Sequence, residues 1–483
     1  MPEEVWHRFR ARLQEIGLTE EYVSQITKIG DSQPALIGAP LRTWHARRVR
    51  EPAACAARML MLDDPVSVED ARLALGMPLL DALTEAGLIV TAEDGGLVSP
   101  FNLVAANRLY LISDHLTRGE DAVMGASSAT GALCQASQPG RSVERMLDLG
   151  CGAGSCALLL ASRASSVVAT DINARAITLS KINAALNGIS NVDFREGDLF
   201  GPVEGETFDL IVCQPPWFAR PEGVEERVFL FGGARGDELS LRILRQLPRY
   251  LGPGGRAVLL VEWPLLDGEP LEDRVAAAVT PADGNVLLLK YPPRDLDDYC
   301  TRYAAIEHPQ LGADFGRAAM HRREHLENMG IRGLMVTLVV IQRNAEGLRW
   351  SGALDVPAQD SDCVNSARID KLVAARDLLA AGVPRLLTTR LQVPEGTVFA
   401  KEYRLGKPVP PKVSARFPPE TLVGTVELGP GAQLLLTLLN EAPDVQSAVR
   451  RYAEGETLTF EQALGRLLPP MKKALLTGML EPA

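Results

Sequence analysis

The sequence predicts an α/β protein: a doubly wound parallel sheet of seven strands in the middle of the chain, with a smaller α+β domain before it and another after it. Between about residues 121 and 345, short apolar runs of strand type alternate with helical stretches, the pattern in which each crossover returns a strand parallel to the last. On either side this alternation stops and the pattern becomes helix, turn, helix. The length of 483 residues also exceeds what one ordinary core organises, and suggests two to four domains.

The first domain is expected over 1–120. Within it "AARMLMLDDPVSVEDARLALGMPLLDALTEAGLIVTAEDGGLVSP" (56–100) gives two helices across a turn, then "GLIV" and "GLVSP" around an "EDGG" turn, the order of a winged helix. Its second helix carries Asp81 and Glu85 in place of a row of Lys and Arg, which favours packing or dimerisation over reading DNA.

The central domain is expected over 121–345, with strands at "RMLDLG", "SVVATD", "NVDFREG", "FDLIVC", "GRAVLLVEW", "NVLLLKY" and "GLMVTLVVIQR". Pattern alone does not orient the seventh. The third domain is expected over 346–483. It holds a Pro-rich basic stretch, 401–420, and a tail reading helix, turn, helix, helix, which fits a second winged-helix-like module. Lys401, Arg404, Lys407, Lys412 and Arg416 form either a solvated linker or a contact for an acidic partner.

A hydrophobic share of 46% with 23% charged residues is that of a globular protein. The formal charge of −11 disfavours broad attraction to a phosphate backbone, so duplex DNA is not an expected partner. "MPEEVWHRFRARLQEIG" has no apolar core of a signal peptide. The longest apolar stretches, such as "LMVTLVVI" (334–341), fall far below the roughly 18 residues of a membrane span. A cytoplasmic protein with no membrane contact is expected. The seven cysteines, at 55, 134, 151, 156, 213, 300 and 363, contain no C-x-x-C pair and read as reduced, mostly buried thiols.

The first strand runs into "DLGCGAGS" (148–155) and then into a helix. Gly150, Gly152 and Gly154 permit a tight turn that lets a ligand approach the backbone, while the helix N-terminus offers free N–H groups. Asp171 ends the second strand, where an acid can accept both hydroxyls of a ribose. The third strand ends in "EGDLF", placing Asp198 to hold an adenine amino group with Leu199 beside the ring, and Ile172 next to Asp171 joins the same wall. NAD is the rival ligand. The G-x-G-x-G spacing after Asp148, a carboxylate suited to a cationic amino acid group, favours S-adenosylmethionine.

With these residues the chain resembles the class I S-adenosylmethionine-dependent methyltransferases, in particular the small-domain group that includes HemK-like glutamine methyltransferases and N6-adenine enzymes. The resemblance covers about 225 residues, from "MGASSATG" (124–131) to "VVIQR", and rests on "DLGCGAG", "TDIN", "EGDLF", "QPPW" and "LGPGGRAVLLVE" in order. It implies a Rossmann-like seven-stranded fold, here flanked by winged-helix-like domains. In that group the fourth strand ends in Asn or Asp, Pro-Pro and an aromatic residue. The side-chain oxygen and the first proline's carbonyl hold an acceptor nitrogen, and the ring covers a planar acceptor. Carried over, Gln214, Pro215 and Trp217 become the catalytic set, with Gln214 also beside the cofactor, and Pro216, Trp217, Phe218 and Asp237 become substrate-binding. Gln214 departs from the group by one methylene, and Trp217 is larger than the usual Tyr or Phe. Asp237, in "FLFGGARGDEL" (229–239), anchors an acceptor amine or caps the helix that follows. Ser127, Ser128 and Thr130 are candidate donors over the methionine end of the cofactor.

"HRREH" (321–325) matches an inverted zinc-protease motif. It lies between the sixth and seventh strands, is dense in arginine and lacks a specified third ligand, so no metal is expected. The resulting expectation is a methyltransferase acting on an amide or amine nitrogen of a small molecule, peptide or protein side chain. The alternatives are an O- or C-methyltransferase of specialised metabolism and a winged-helix regulator that binds the cofactor without turnover. A homodimer through the flanking domains is also expected.

Overall fold

The computed structural model describes residues 2–28, 35–115, 119–279, 283–308, 311–343, 347–358, 364–402 and 412–483. Its centre is an eight-stranded sheet of β1 (Val143–Leu149), β2 (Ala164–Asp171), β3 (Val192–Glu196), β4 (Phe208–Cys213), β5 (Leu251–Leu266), β6 (Asn285–Lys290), β7 (Ile331–Gln342) and β8 (Ser351–Asp355). The order across the sheet is β3-β2-β1-β4-β5-β7-β6-β8. β1 to β5 run parallel. β7 is inserted antiparallel between β5 and β6, which answers the orientation that sequence pattern left open.

All seven expected strands form. The eighth, β8, pairs parallel with the edge of β6 and lies beyond residue 345, in the segment expected to open the third domain. Its "SGALD" is exposed or half-buried throughout and has no long apolar run, so it carries little strand signal of its own.

Strands β1, β4 and β5 are apolar on both faces because helices cover both faces. Met146, Val212, Val258 and Leu260 point into one layer with Leu133, Cys156 and Ala157. Leu147, Ile211, Ala257, Leu259 and Trp263 point into the other, with Ile243 and Val275. The strand order reverses between β1 and its neighbours β2 and β4, and such a switch point opens a crevice beyond the strands' carboxyl ends.

Before the sheet, among the described residues, six helices (Glu3–Glu15, Glu20–Thr27, Ala35–Ala46, Pro52–Met61, Val68–Leu75 and Met77–Glu85) lead to a short hairpin of Val90–Thr91 with Leu97–Val98. A second hairpin, Phe101–Ala106 with Leu109–Asp114, follows; its turn residues Asn107 and Arg108 have φ of 46° and 66°, the left-handed pair that a tight hairpin requires. This region and the sheet domain share one core. Trp6, Phe9, Leu83 and Tyr110 belong to the same buried cluster as Ala153, Ala176, Leu179 and Leu186.

Two amides on the helix α3 (Ala174–Asn187) zip the second hairpin to the sheet domain. Asn183 accepts from Ile112 N (2.7 Å) and donates to its carbonyl (2.8 Å), and Asn187 does the same with Tyr110 (3.0 and 2.7 Å). Four apart on one helix, they stand on one face and substitute for a partner strand.

After the sheet, the helix Ser366–Ala380 precedes a three-stranded antiparallel sheet (Val398–Glu402, Lys412–Arg416, Thr425–Leu428) and the helices Pro430–Glu441, Val445–Glu456 and Phe460–Thr477. Lys401 and Arg416 are exposed and Lys412 pairs with Glu427 at 2.6 Å; Arg404 and Lys407 lie outside the described residues, as does Cys363. The other six cysteines are free and buried. Among the described residues no helix is long and apolar enough to cross a membrane.

Candidate active site

A cavity of about 610 Å³ opens beyond the carboxyl ends of β1, β2 and β4, within the size range of small-molecule sites. Asp148, Gly150, Gly152, Asp171, Ile172, Asp198, Leu199 and the run Gln214 to Phe218 all line it. Gly154 and Asp237 do not.

The glycine loop is held from β2. Gly150 and Cys151 donate to the carbonyl of Thr170 at 2.8 and 2.9 Å, and Gly152 N donates to Asp171 Oδ2 at 2.8 Å. Gly150 has φ of 75°, and a Cβ built there meets nothing within 4 Å, so the backbone faces open space where a ligand can approach. Gly154 serves packing instead: it precedes α2 (Ser155–Leu160) with φ of 79°, and a Cβ would sit 3.0 Å from Ser180 Oγ.

Asp171 also accepts from Asn173 N at 2.9 Å, and burial raises its carboxyl above the usual range. A carboxylate offers about four acceptor positions, so two remain for a vicinal diol. Asp148 is buried at the loop's base, where its Oδ2 accepts from Ala157 N at 2.8 Å. Burial pushes its carboxyl up to about 7 against that one amide, and a cation reaching it would favour the charged form. Asp198 is half-exposed at the rim and pairs with Arg242 at 2.5 Å, an arginine the sequence reading missed. Ile172, 55% exposed, offers an apolar wall beside Asp171.

The "QPPW" elbow leaves β4 as expected of two prolines, and it is clasped by the glycine-rich segment downstream. Phe218–Ala219 pairs parallel with Phe231–Gly233. A Cβ on Gly232 would fall 2.7 Å from the Pro216 carbonyl oxygen, and one on Gly236 would fall 2.4 Å from that of Trp217, so both glycines are required by backbone contact. Gln214 is half-buried and its side chain makes no hydrogen bond with the described residues. Trp217 keeps a buried Nε1–H without a partner among the described residues. Phe218 is braced from behind by Tyr303, its ring centroid 3.7 Å away.

Asp237 corrects the sequence expectation. It is fully buried, its carboxylate is held by Arg235 at 3.1 Å and by Arg274, and it makes no side-chain cap on the helix α3's successor α4 (Glu238–Gln246). Glu238 lines the cavity in its place, accepting from Arg235 N at 2.9 Å and Gly236 N at 3.0 Å. Arg274 is distant in sequence, so no local signal marks Asp237 as buried. Also missed were Ala122 and Val123, which roof the cavity together with Met124 and Gly125 at the start of "MGASSATG". Ser127 caps the helix α1 (Ser128–Ser137) through a capping box with Thr130, and Thr130 reaches the cavity. His325 Nε2 lies 2.7 Å from the Ala234 carbonyl oxygen, so the "HRREH" helix braces the glycine-rich loop. Among the described residues no three His, Cys, Asp or Glu side chains converge as a metal site.

Residues 127–265 match the family described as "Methyltransferase small domain". A release factor glutamine methyltransferase of Xylella fastidiosa is 38% identical over 133 residues, covering 25% of this chain and 48% of that protein. A ribosomal protein uL3 glutamine methyltransferase of Bordetella pertussis is 36% identical over 128 residues, covering 24% and 43%. A ribosomal RNA small subunit methyltransferase C of Alcanivorax borkumensis is 32% identical over 111 residues, covering 23% and 30%. The chain spans less than half the length of each of these three relatives. The matched segment contains the glycine loop, Asp171 and the elbow, so the likeness to the methyltransferase small domain falls on the residues that line the cavity.

Proposed function

We propose that this protein transfers a methyl group from S-adenosylmethionine to an amide or amine nitrogen held at the "QPPW" elbow. The carrying observation is that Asp148, the glycine loop, Asp171 and Gln214–Trp217 line one cavity, so cofactor and acceptor sides share a wall. The donor set fits this cofactor: a buried carboxylate for a cation, a second with two open acceptor positions for a diol, and an apolar flank. S-adenosylmethionine, when bound, supplies an electrophilic methyl group.

The chain's own residues do the rest by positioning. Asp171 takes the ribose hydroxyls, Asp148 faces the ammonium, and Ile172, Asp198 and Leu199 border the adenine. Gln214 Oε1 and the Pro215 carbonyl accept from the acceptor nitrogen's N–H groups and aim its lone pair, while Trp217 and Phe218 cover the flat face. Alignment of this kind supplies the greater part of the rate in a displacement that forms the N–C bond as the methyl–sulfur bond breaks, with a neutral thioether leaving and one N–H proton passing to water.

The names of two relatives point to the side-chain amide of a protein glutamine as acceptor, and Gln214 keeps the amide such a group would meet. Helices Val68–Leu75 and Met77–Glu85 with their hairpin form a winged-helix-like unit used for self-association or substrate capture, and the C-terminal helices form a second; the protein works in the cytoplasm. The test is to incubate the protein with cofactor and glutamine peptides, nucleosides and metabolites, scoring a one-methyl mass gain. Transfer to nitrogen, lost in Gln214→Ala with cofactor affinity intact, is expected. Transfer to oxygen or carbon at the wild-type rate in Gln214→Ala would overturn the nitrogen assignment.

A further inference from the structure

We infer that Asp114 is a positioning residue for the cofactor half of the cavity, acting through the roof and through the turn that follows Asp171; this rests on the cofactor reading above. Asp114 ends the second N-terminal hairpin and is 3% exposed. Its carboxylate takes Arg175 bidentately, at 2.5 Å from Nη2 and 2.7 Å from Nε, and its Oδ2 also accepts from Val123 N at 3.0 Å. Its own N–H donates to the Val123 carbonyl at 3.0 Å.

These contacts join three pieces that sequence keeps far apart. Val123 is in the cavity roof. Arg175 is the second residue of α3, four beyond Asp171, and Asn173 between them donates through its side chain to the Asp121 carbonyl at 3.0 Å. The roof is pressed onto the hairpin, since a Cβ on Gly125 would fall 2.4 Å from Ser113 Oγ, and onto the glycine loop, since one on Gly152 would fall 3.4 Å from the Met124 carbonyl oxygen. One buried carboxylate therefore sets the height of the roof over the loop and the orientation of the Asp171–Asn173 turn. The N-terminal domain reaches the cofactor through it, and bidentate charge-assisted geometry is the arrangement that fixes angle as well as distance. Gln214 and the elbow lie on the other side of β1 and are not touched.

The test is calorimetric titration of S-adenosylmethionine into the full chain and into Asp114→Asn. Asparagine keeps the shape and an oxygen for Val123 N–H, but turns donors toward the guanidinium. Affinity should fall about tenfold, the weight of roughly 1.4 kcal/mol, and hydrogen exchange at 121–125 should quicken. Arg175→Gln should match it, Arg175→Lys should recover part, and the double variant should lose no more than the worse single one. The acceptor's turnover at saturating cofactor should stay within about twofold, a split between affinity and rate that general loss of structure would not give. A folded Asp114→Asn with wild-type affinity overturns the inference, and so does an equal loss in turnover. Should Asp114→Asn not fold, the Arg175 variants decide by the same criteria. Absence of binding to the wild type would instead bring down the cofactor reading, and this inference with it.

Discussion

Replacing Gly236 by alanine probes whether the glycine-rich clasp sets the elbow. A Cβ there would stand 2.4 Å from the Trp217 carbonyl oxygen, 2.9 Å from Ala219 N and 3.1 Å from the Phe218 carbonyl carbon, against 3.4 Å or more for ordinary contact. All three neighbours are backbone, so no side chain can swing aside and about 1 Å of relative movement is required. The φ of 95° adds strain for any side chain, of about 1–3 kcal/mol. The elbow is the thinner partner and should move. A displacement of about 1 Å at a positioning group costs on the order of 100-fold in turnover. The glycine loop and Asp171 lie outside the affected contacts, so cofactor affinity should hold within about twofold, which is well under 1 kcal/mol. Turnover on the acceptor found by the mass-gain panel, with calorimetry of cofactor binding, measures both. A folded Gly236→Ala protein with wild-type turnover would refute the idea that elbow position limits the rate.

Other outcomes follow from the same geometry. Asp171→Ala removes the partner of Gly152 N and Asn173 N together with the diol contacts proposed above; calorimetry should show cofactor binding weakened by about 1–3 kcal/mol, beyond any change in melting temperature. Gln214→Asn withdraws the amide by one methylene, so turnover on the native acceptor should fall about 10- to 1,000-fold while cofactor affinity stays put. Glu262 is buried on β5, where desolvation raises its carboxyl to about 7 against the pull of Arg294. Between about pH 4.5 and 7 the folded state therefore holds a proton that the unfolded chain releases, so this group's contribution to stability is complete below that window and declines by roughly 3 kcal/mol across it. Glu262→Gln should flatten denaturant-measured stability over that range, leaving the similar slope due to Asp148. An unchanged pH profile would show that Glu262 does not titrate there.

Much of the geometry of the glycine loop and Asp171 was legible because its signals are local. A strand, a glycine turn and an acid at the next strand's end are each fixed by a few adjacent residues, and the structure brings Gly150, Gly152 and Asp171 into hydrogen-bonded contact. The elbow was legible for the same reason, since two prolines end a strand wherever they occur. What escaped depends on partners remote in sequence. Asp237 looks like a free carboxylate until Arg274 arrives from the helix α5 (Leu271–Ala278), and the roof residues Ala122 and Val123 carry no apolar period or charge to mark them. β8 was invisible because an edge strand with exposed faces needs little hydrophobicity. The second N-terminal hairpin did leave a signal, Asn-Arg between "LVAA" and "LYLIS", but its meaning depends on Asn183 and Asn187, which lie more than 70 residues on.

The shared core between the N-terminal helices and α3 bears on how the protein can be divided. Ala176, Leu179 and Leu186 form the face of α3 turned away from the sheet, and Trp6, Phe9 and Tyr110 cover it. A fragment cut at residue 121 would expose that apolar stripe and strip Asn183 and Asn187 of the hairpin groups that hold them, so water replaces an ordered pairing. Such a fragment would carry every motif of the proposed cofactor site yet tend to aggregate through α3. The smallest unit that folds as a soluble body is thus larger than the stretch that bears the motifs, and the first 114 residues serve it as a fixed outer wall.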